Sequence, residues 1–209
     1  YCMPKEYGGQ GRSNLEYITL VEEMCYHDPA IALLCAVAEL ATHPIIHFAS
    51  DEHKKRYVPD CASGKRVPAF VLTEPNAGSD AANVGTVAVD NGDHYIVNGE
   101  KIFIMHGDVA DLAVLFCRIE GLPKMSAFIL DTNQPGWDKR TLKHKMGMRA
   151  ATTGGIKITN VKIPKANLLG EVGKGFALAL DWINGNRIRT AAMATGIARR
   201  ALARSAAYS

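Results

Sequence analysis

The chain has 209 residues, 47% hydrophobic and 22% charged, with 19 glycines in no regular period; that excludes disordered, collagen-like and low-complexity proteins and leaves enough chain to bury a sizeable core. The formal net charge of +3 hides an asymmetry: residues 1–138 carry 10 Lys and Arg against 19 Asp and Glu, and residues 139–209 carry 14 against 2. The C-terminal third is therefore expected to face an anion, whether a phosphate-bearing ligand, a nucleic acid or an acidic partner surface.

The start, Tyr1-Cys2-Met3-Pro4, has neither an initiating methionine nor a basic-then-apolar leader, so the sequence reads as a piece of a longer chain. The longest apolar stretch, from Pro29 to Leu40, is broken by Glu39 and His43; it reads as a buried helix, and no membrane span is expected. Cys2, Cys25, Cys35, Cys61 and Cys117 are odd in number and scattered among apolar neighbours. They read as reduced, buried thiols of a cytosol-like compartment, the cytoplasm or a mitochondrial matrix.

In chain order, Ser13-Asn14-Leu15-Glu16 forms a capping box followed by Leu15, Ile18, Val21 and Met24 at helical spacing, which predicts a helix ending near His27. Asp28-Pro29 predicts the start of a second, almost wholly apolar helix to about Phe48, and Ser50-Asp51-Glu52 that of a third, closed by Pro59 and Gly64. From Arg66 the period becomes that of strands: Val67–Thr73, Val84–Val89, His94–Val97, Leu112–Ile119, Ser126–Leu130, Trp137–Leu142 and Gly155–Val161. Asn91-Gly92 and Asn98-Gly99 both read as hairpin turns, giving an antiparallel barrel or sandwich. After Pro164 the helical period returns, with Phe176–Trp182 and an alanine-rich helix from Arg187 that reaches the last residue; Met193, Ile197 and Ala201 share a stripe, and Gly196 allows close helix approach. The expected architecture is α+β: a helical N-terminal domain over 1–64, a middle β domain over 65–165, and the start of a truncated C-terminal helical bundle over 166–209.

The most informative stretch is Leu72-Thr73-Glu74-Pro75-Asn76-Ala77-Gly78-Ser79-Asp80. A strand ends on a hydroxyl residue, turns at proline, and continues through small residues whose backbone amides can approach a flat ring or a phosphate. Taken alone it reads first as a strand-to-loop transition with an Asx turn, and only the rest of the chain favours the ligand-holding reading.

Together with other segments it resembles the acyl-CoA dehydrogenase family nearly end to end. Pro4–Gly11, Tyr57-Val58-Pro59 with Ala62-Ser63-Gly64, and Leu72–Asp80 match the family's motifs, as do Asn98–Ile104, Lys145-Met146-Gly147-Met148-Arg149, Val161–Pro164, Asn167–Gly170 and Gly173–Phe176. The resemblance implies a flavoenzyme, usually a homotetramer, that passes electrons to an electron-transferring flavoprotein. In it a carboxylate removes the α proton of an acyl-CoA thioester while the β hydrogen leaves as hydride to FAD. It implies that Phe70, Leu72, Thr73, Gly78, Ser79, Phe103, Ile104 and Met105 bind the flavin, with Phe103 stacked on its ring. Ser79, Asn184, Asn186 and Arg187 would meet the substrate, Ser79 near its pantetheine arm.

Two positions depart from the family pattern. Met105 stands where a hydroxyl residue usually reaches the flavin and cannot donate that bond. Asn186 stands where some members carry a catalytic glutamate, so the catalytic residue is not assigned and the base is expected beyond Ser209. These departures also motivate a second reading, a non-catalytic homologue acting as scaffold or subunit partner. His43 and His47 stand at i, i+4, but no third ligand has suitable spacing and Pro44 disturbs the turn, so packed or surface histidines are expected and no metal site is assigned. The aromatics of the basic third are too sparse for a nucleic-acid stacking platform.

Overall fold

The computed structural model describes all 209 residues. Side-chain caps start the N-terminal helices where the sequence places them. In α1 (Asn14–His27), Ser13 Oγ accepts from the Glu16 amide at 3.3 Å while the Glu16 carboxylate accepts from the Ser13 amide at 2.8 Å. In α2 (Pro29–Phe48), Asp28 accepts from the amides of Ala30 and Ile31, and Pro29 fills a first-turn position whose N–H would have no helical partner. Ser50 caps α3 (Asp51–Ala62) through the His53 amide.

The strands are β1 (Pro68–Val71), β2 (Val87–Asp90), β3 (His94–Met105), β4 (Leu112–Ile119), β5 (Met125–Asp131), β6 (Trp137–Thr141), β7 (Thr153–Pro164) and β8 (Leu168–Leu169). They form one sheet in the order β6-β7-β3-β2-β4-β5-β8, with β1 beside β4. The sheet is mixed and not closed, so the expected antiparallel barrel or sandwich describes it only loosely: β1 and β2 both run parallel to β4, one after the other along the same edge. Every residue of β4 except Arg118 is buried. Leu112, Val114 and Phe116 face a cluster with Ile45, Tyr57 and Val58 from the helices; Ala113, Leu115 and Cys117 face Phe128, Trp137, Ile156 and Ile158 of the sheet itself, which curls around them.

Of the two Asn-Gly pairs, the first turns the chain, with Gly92 at φ 84° between β2 and β3. The second does not. Neither Asn98 nor Gly99 has positive φ, as a type I′ turn requires, and β3 runs straight through them. They face a bulge in β7 at Asn160, φ 53°, whose amide donates to Asn98 Oδ1 at 2.8 Å. Gly99 is required because a Cβ there would lie 2.3 Å from Thr86 Oγ1.

By length and composition α2 is apolar enough to cross a membrane, with mean hydropathy 1.7 over its most apolar 18 residues. Half of its apolar window is buried inside the fold, and it packs against α1, α3, β1 and β4. The thiols also depart from expectation: Cys25, Cys61 and Cys117 are buried, but Cys35 is exposed and Cys2 half-buried, and all five are free. Burial pushes the Cys61 and Cys117 thiols up to about 12.

α4 (Gly175–Tyr208) is one continuous helix through Asn184-Gly185-Asn186. Arg189 ties it to α1 and α2: its guanidinium, 4.4 and 4.3 Å from the rings of Tyr17 and Trp182, donates to Glu39 at 3.2 Å and Asn14 at 2.9 Å. Gly196 seats α4 on α1, where a Cβ would lie 2.1 Å from the Glu22 carbonyl oxygen, whereas a Cβ on Gly185 meets nothing within 4 Å. The two glycines predict opposite signs. Gly196→Ala should destabilise the protein by about 2 kcal/mol through overpacking, and Gly185→Ala should stabilise it by about 0.5–1 kcal/mol through helix propensity, both read from denaturant midpoints.

Candidate functional site at the end of strand β1

Beyond Val71 the chain leaves β4 but stays fastened to β3. The Leu72 carbonyl accepts from Lys101 Nζ at 2.9 Å, and the Thr73 carbonyl accepts from the Ile102 amide at 3.0 Å. Glu74 and Ala77 then exchange two backbone hydrogen bonds, closing a tight turn around Pro75-Asn76. Gly78 and Ser79 follow on the surface; a Cβ on Gly78 would meet nothing within 4 Å, and the Ser79 hydroxyl makes no hydrogen bond within the protein. The residues are arranged as a tight turn followed by open backbone, with no Asx turn at Asn76.

Next to this segment β3 bulges. Its register with β7 slips between Lys101 and Ile104, and the extra residue is Phe103, held at φ 58° with 66% of its surface exposed. A bulky side chain at positive φ costs about 1–3 kcal/mol and persists only where its surroundings impose it. Here the backbone bond from Ile102 to Thr73 on one side and the buried Ile104 on the other fix the bulge, so the aromatic ring is presented to the outside.

Beneath both segments lies a buried ion pair. Lys101 is 0% exposed; its Nζ lies 2.8 Å from Glu74 Oε1 and donates to the carbonyls of Leu72 and of Phe116, the latter at 2.7 Å. Glu74 accepts from the amides of Gly85 and Thr86, the latter at 3.0 Å. These backbone groups lie where β1 has stopped pairing with β4 and β2 has not yet begun. Burial pushes the Lys101 ammonium down from the ordinary lysine range, and Glu74 opposes that shift. Burial alone would raise the Glu74 carboxyl, but Lys101 and the donors around it outweigh burial and hold it below its ordinary range.

The structure brings Thr73, Phe103 and the open Gly78-Ser79 backbone into one neighbourhood, while the side chains of three further expected residues turn into the core. Leu72 and Ile104 are buried in opposite core clusters, and the ring of half-buried Phe70 packs 4.6 Å from that of Phe116. Each can offer a ligand backbone but little side chain, because strand alternation and the bulge turn these side chains inward. Met105 is half-buried and its sulfur accepts from Thr153 Oγ1 at 3.3 Å; Thr153 in turn accepts from Lys145 Nζ at 2.9 Å. Asn184, Asn186 and Arg187 lie apart on α4, which packs on α1, α2 and β5, and none of them hydrogen-bonds to the strand-end residues.

Arg187 is exposed and unpaired, whereas four other cations of the basic third are paired within the fold: Arg189 with Glu39, Arg199 with Glu22 and Glu23, Arg140 with Glu100 and Lys165 with Asp90. His43 and His47 have ring centroids 4.1 Å apart; burial pushes the His43 imidazole down, and its Nε2 lies 3.1 Å from Asp181.

Sequence reasoning matched Glu74 and Lys101 as motif letters and gave them no role. The available signal is parity: Lys101 shares the buried phase of Tyr95 and Val97 in β3, and a lysine there needs a buried partner.

The profile of the acyl-CoA dehydrogenase N-terminal domain matches residues 1–65, and that of the acyl-CoA dehydrogenase middle domain matches residues 69–161. The chain belongs to the acyl-CoA dehydrogenase family. It is 39% identical to an acyl-CoA dehydrogenase of Clostridium acetobutylicum described as short-chain specific, over 98% of this chain and 55% of that protein. Among solved structures, it superposes with a TM-score of 0.94 and 41% identity on a chain described under the electron transferring flavoprotein of Acidaminococcus fermentans, covering 100% of this chain and 56% of that one. A Bacillus anthracis acyl-CoA dehydrogenase complexed with FAD gives a TM-score of 0.92 at 33% identity, covering 99% of this chain and 36% of that one. The chain spans about half the length of the curated relatives it matches.

The strain at Phe103 is directly measurable. Phe103→Gly removes a mostly exposed ring and relieves the positive φ, so in the absence of any ligand it should stabilise the fold by about 1 kcal/mol, read as a raised denaturant midpoint; destabilisation would show that the ring is held by packing instead.

Proposed function

We propose that this chain carries the ring-facing wall of an FAD site in an enzyme that dehydrogenates an acyl-CoA thioester between its α and β carbons. The observation that carries the reading is Phe103: an exposed aromatic ring, held at a strained φ beside unencumbered backbone, presents a flat apolar face with hydrogen-bonding groups at its margin. Those features fit a flavin. FAD, when bound, supplies the hydride acceptor for the reaction.

The chain's own residues would bind and orient. Phe103 would stack on the ring, the main chain around Thr73 would meet its edge, and the open Gly78-Ser79 segment would contact the ligand through backbone and hydroxyl. Met105 offers a thioether and no hydroxyl, so hydrogen bonding there falls to other groups; Thr153 Oγ1, 3.3 Å from its sulfur, is the neighbouring hydroxyl. Arg187, exposed and unpaired on α4, would hold an anionic or carbonyl portion of the CoA thioester, with Asn184 and Asn186 in the same turns. Asn186 carries no acid or base, and Glu74 is buried against Lys101 and two backbone amides, so neither serves as the proton acceptor. A short acyl chain is the proposed substrate class and an electron-transferring flavoprotein the proposed electron acceptor, supported by the C. acetobutylicum and A. fermentans relatives. A homotetramer is the proposed assembly.

Two experiments test this. Denaturing the whole protein, purified with FAD in excess, should release stoichiometric FAD into the supernatant; absence of released flavin would refute the reading. Arg187→Ala should weaken acyl-CoA binding by roughly ten- to a hundredfold, the effect of losing a charge-assisted hydrogen bond. Arg204→Ala, also exposed and unpaired, should leave binding unchanged. Arg199 does not serve as a neutral control, because its substitution would loosen the α1–α4 contact through Glu22.

A further inference from the structure

We infer that the buried Lys101–Glu74 pair is a positioning device that holds the main chain at Thr73 and the bulge at Phe103 in their ligand-facing arrangement before any cofactor arrives. The inference rests on the flavin reading of this edge and extends it to two residues that face no ligand.

The geometry is specific. β1 and β2 occupy one edge of β4 in succession, and between Leu115, the last residue paired with β1, and Arg118, the first paired with β2, that edge has no strand partner. The chain from 72 to 86 loops away at this break and returns. Its departure is fixed by Lys101 Nζ on the Leu72 carbonyl, and its return by the Glu74 carboxylate on the amides of Gly85 and Thr86. Lys101 also fills the break itself through the Phe116 carbonyl. Because Lys101 lies two residues before Phe103 and Glu74 directly after Thr73, the pair couples both halves of the presented edge. The single backbone bond from Ile102 to Thr73 completes the link at 3.0 Å.

The test uses the whole protein and two readouts. In the Lys101→Met/Glu74→Gln double variant no unpaired charge is left in the interior, so the fold is expected to survive with wild-type far-ultraviolet circular dichroism. FAD affinity should fall about tenfold or more, and the resolved shoulders of the bound-flavin absorption band should blur as the ring loses its fixed seat. A folded double variant with wild-type affinity and spectrum would overturn the inference. The second readout needs no variant. In wild-type protein stripped of FAD, hydrogen exchange at the amides of Ile102, Gly85 and Thr86 should be as slow as in the holoprotein. If these amides are protected only when FAD is bound, the cofactor orders the edge and the inference fails. A wild-type protein that takes up no FAD would instead refute the flavin reading, while exchange in the free protein would still decide whether the pair orders the edge.

Discussion

A β-strand buried on both faces needs its edges paired, because backbone groups withdrawn from water cannot be left without partners. In this protein β4 is that strand, and one of its edges is divided between β1 and β2 with a gap between them. Lys101 and Glu74 fill the gap with opposite charges that satisfy backbone carbonyls on one side and amides on the other. Removing either partner alone would leave a buried charge uncompensated, at a cost of about 3–5 kcal/mol. Geometry this tightly determined can hold a phenylalanine at positive φ two residues away.

The rest of the architecture follows from the same strand. One face of β4 is covered by the curling sheet and the other by α2, α3 and the start of α4, so the helices lie on one side of the sheet and the presented edge is carried by strand ends. A second buried pair, Arg189–Glu39, works in the helical layer much as Lys101–Glu74 works in the sheet, joining α4 to α2 with the guanidinium seated between two aromatic rings. The Arg189–Glu39 pair joins the two charge-biased regions of the sequence, its acidic first two thirds and its basic last third. Arg187 remains outside such pairs, unlike Arg189 two residues on, and so is free to meet a ligand.

Helix starts were legible because caps are local: Ser13, Asp28 and Ser50 bond amides two or three residues away. β4 was legible as an apolar run because it is buried on both faces. The openness of the sheet, the straight run of β3 through Asn98-Gly99 and the inward turn of Ile104 were not legible, for one shared reason. They depend on which strand lies opposite: Asn98-Gly99 looks like a turn until Asn160 bulges across from it and Thr86 packs against the missing Cβ. Period-two alternation cannot foresee the bulge at Phe103, which changes which side chains face inward within three residues. The family motifs named most residues of the candidate site, but as letters they did not separate Phe103, whose side chain faces out, from Leu72 and Ile104, whose side chains are core. Nor did they reveal that the lysine and glutamate between them form the support.

Whether the edge formed by Thr73 and Phe103 is preformed to receive a flavin ring is tested most directly by a crystal structure of the whole protein with FAD bound. The ring should lie on the exposed face of Phe103 with the Thr73 main chain at its margin, Phe103 still at positive φ and the Lys101–Glu74 distance unchanged. A flavin seated elsewhere, or a Phe103 relaxed to negative φ in the complex, would contradict it.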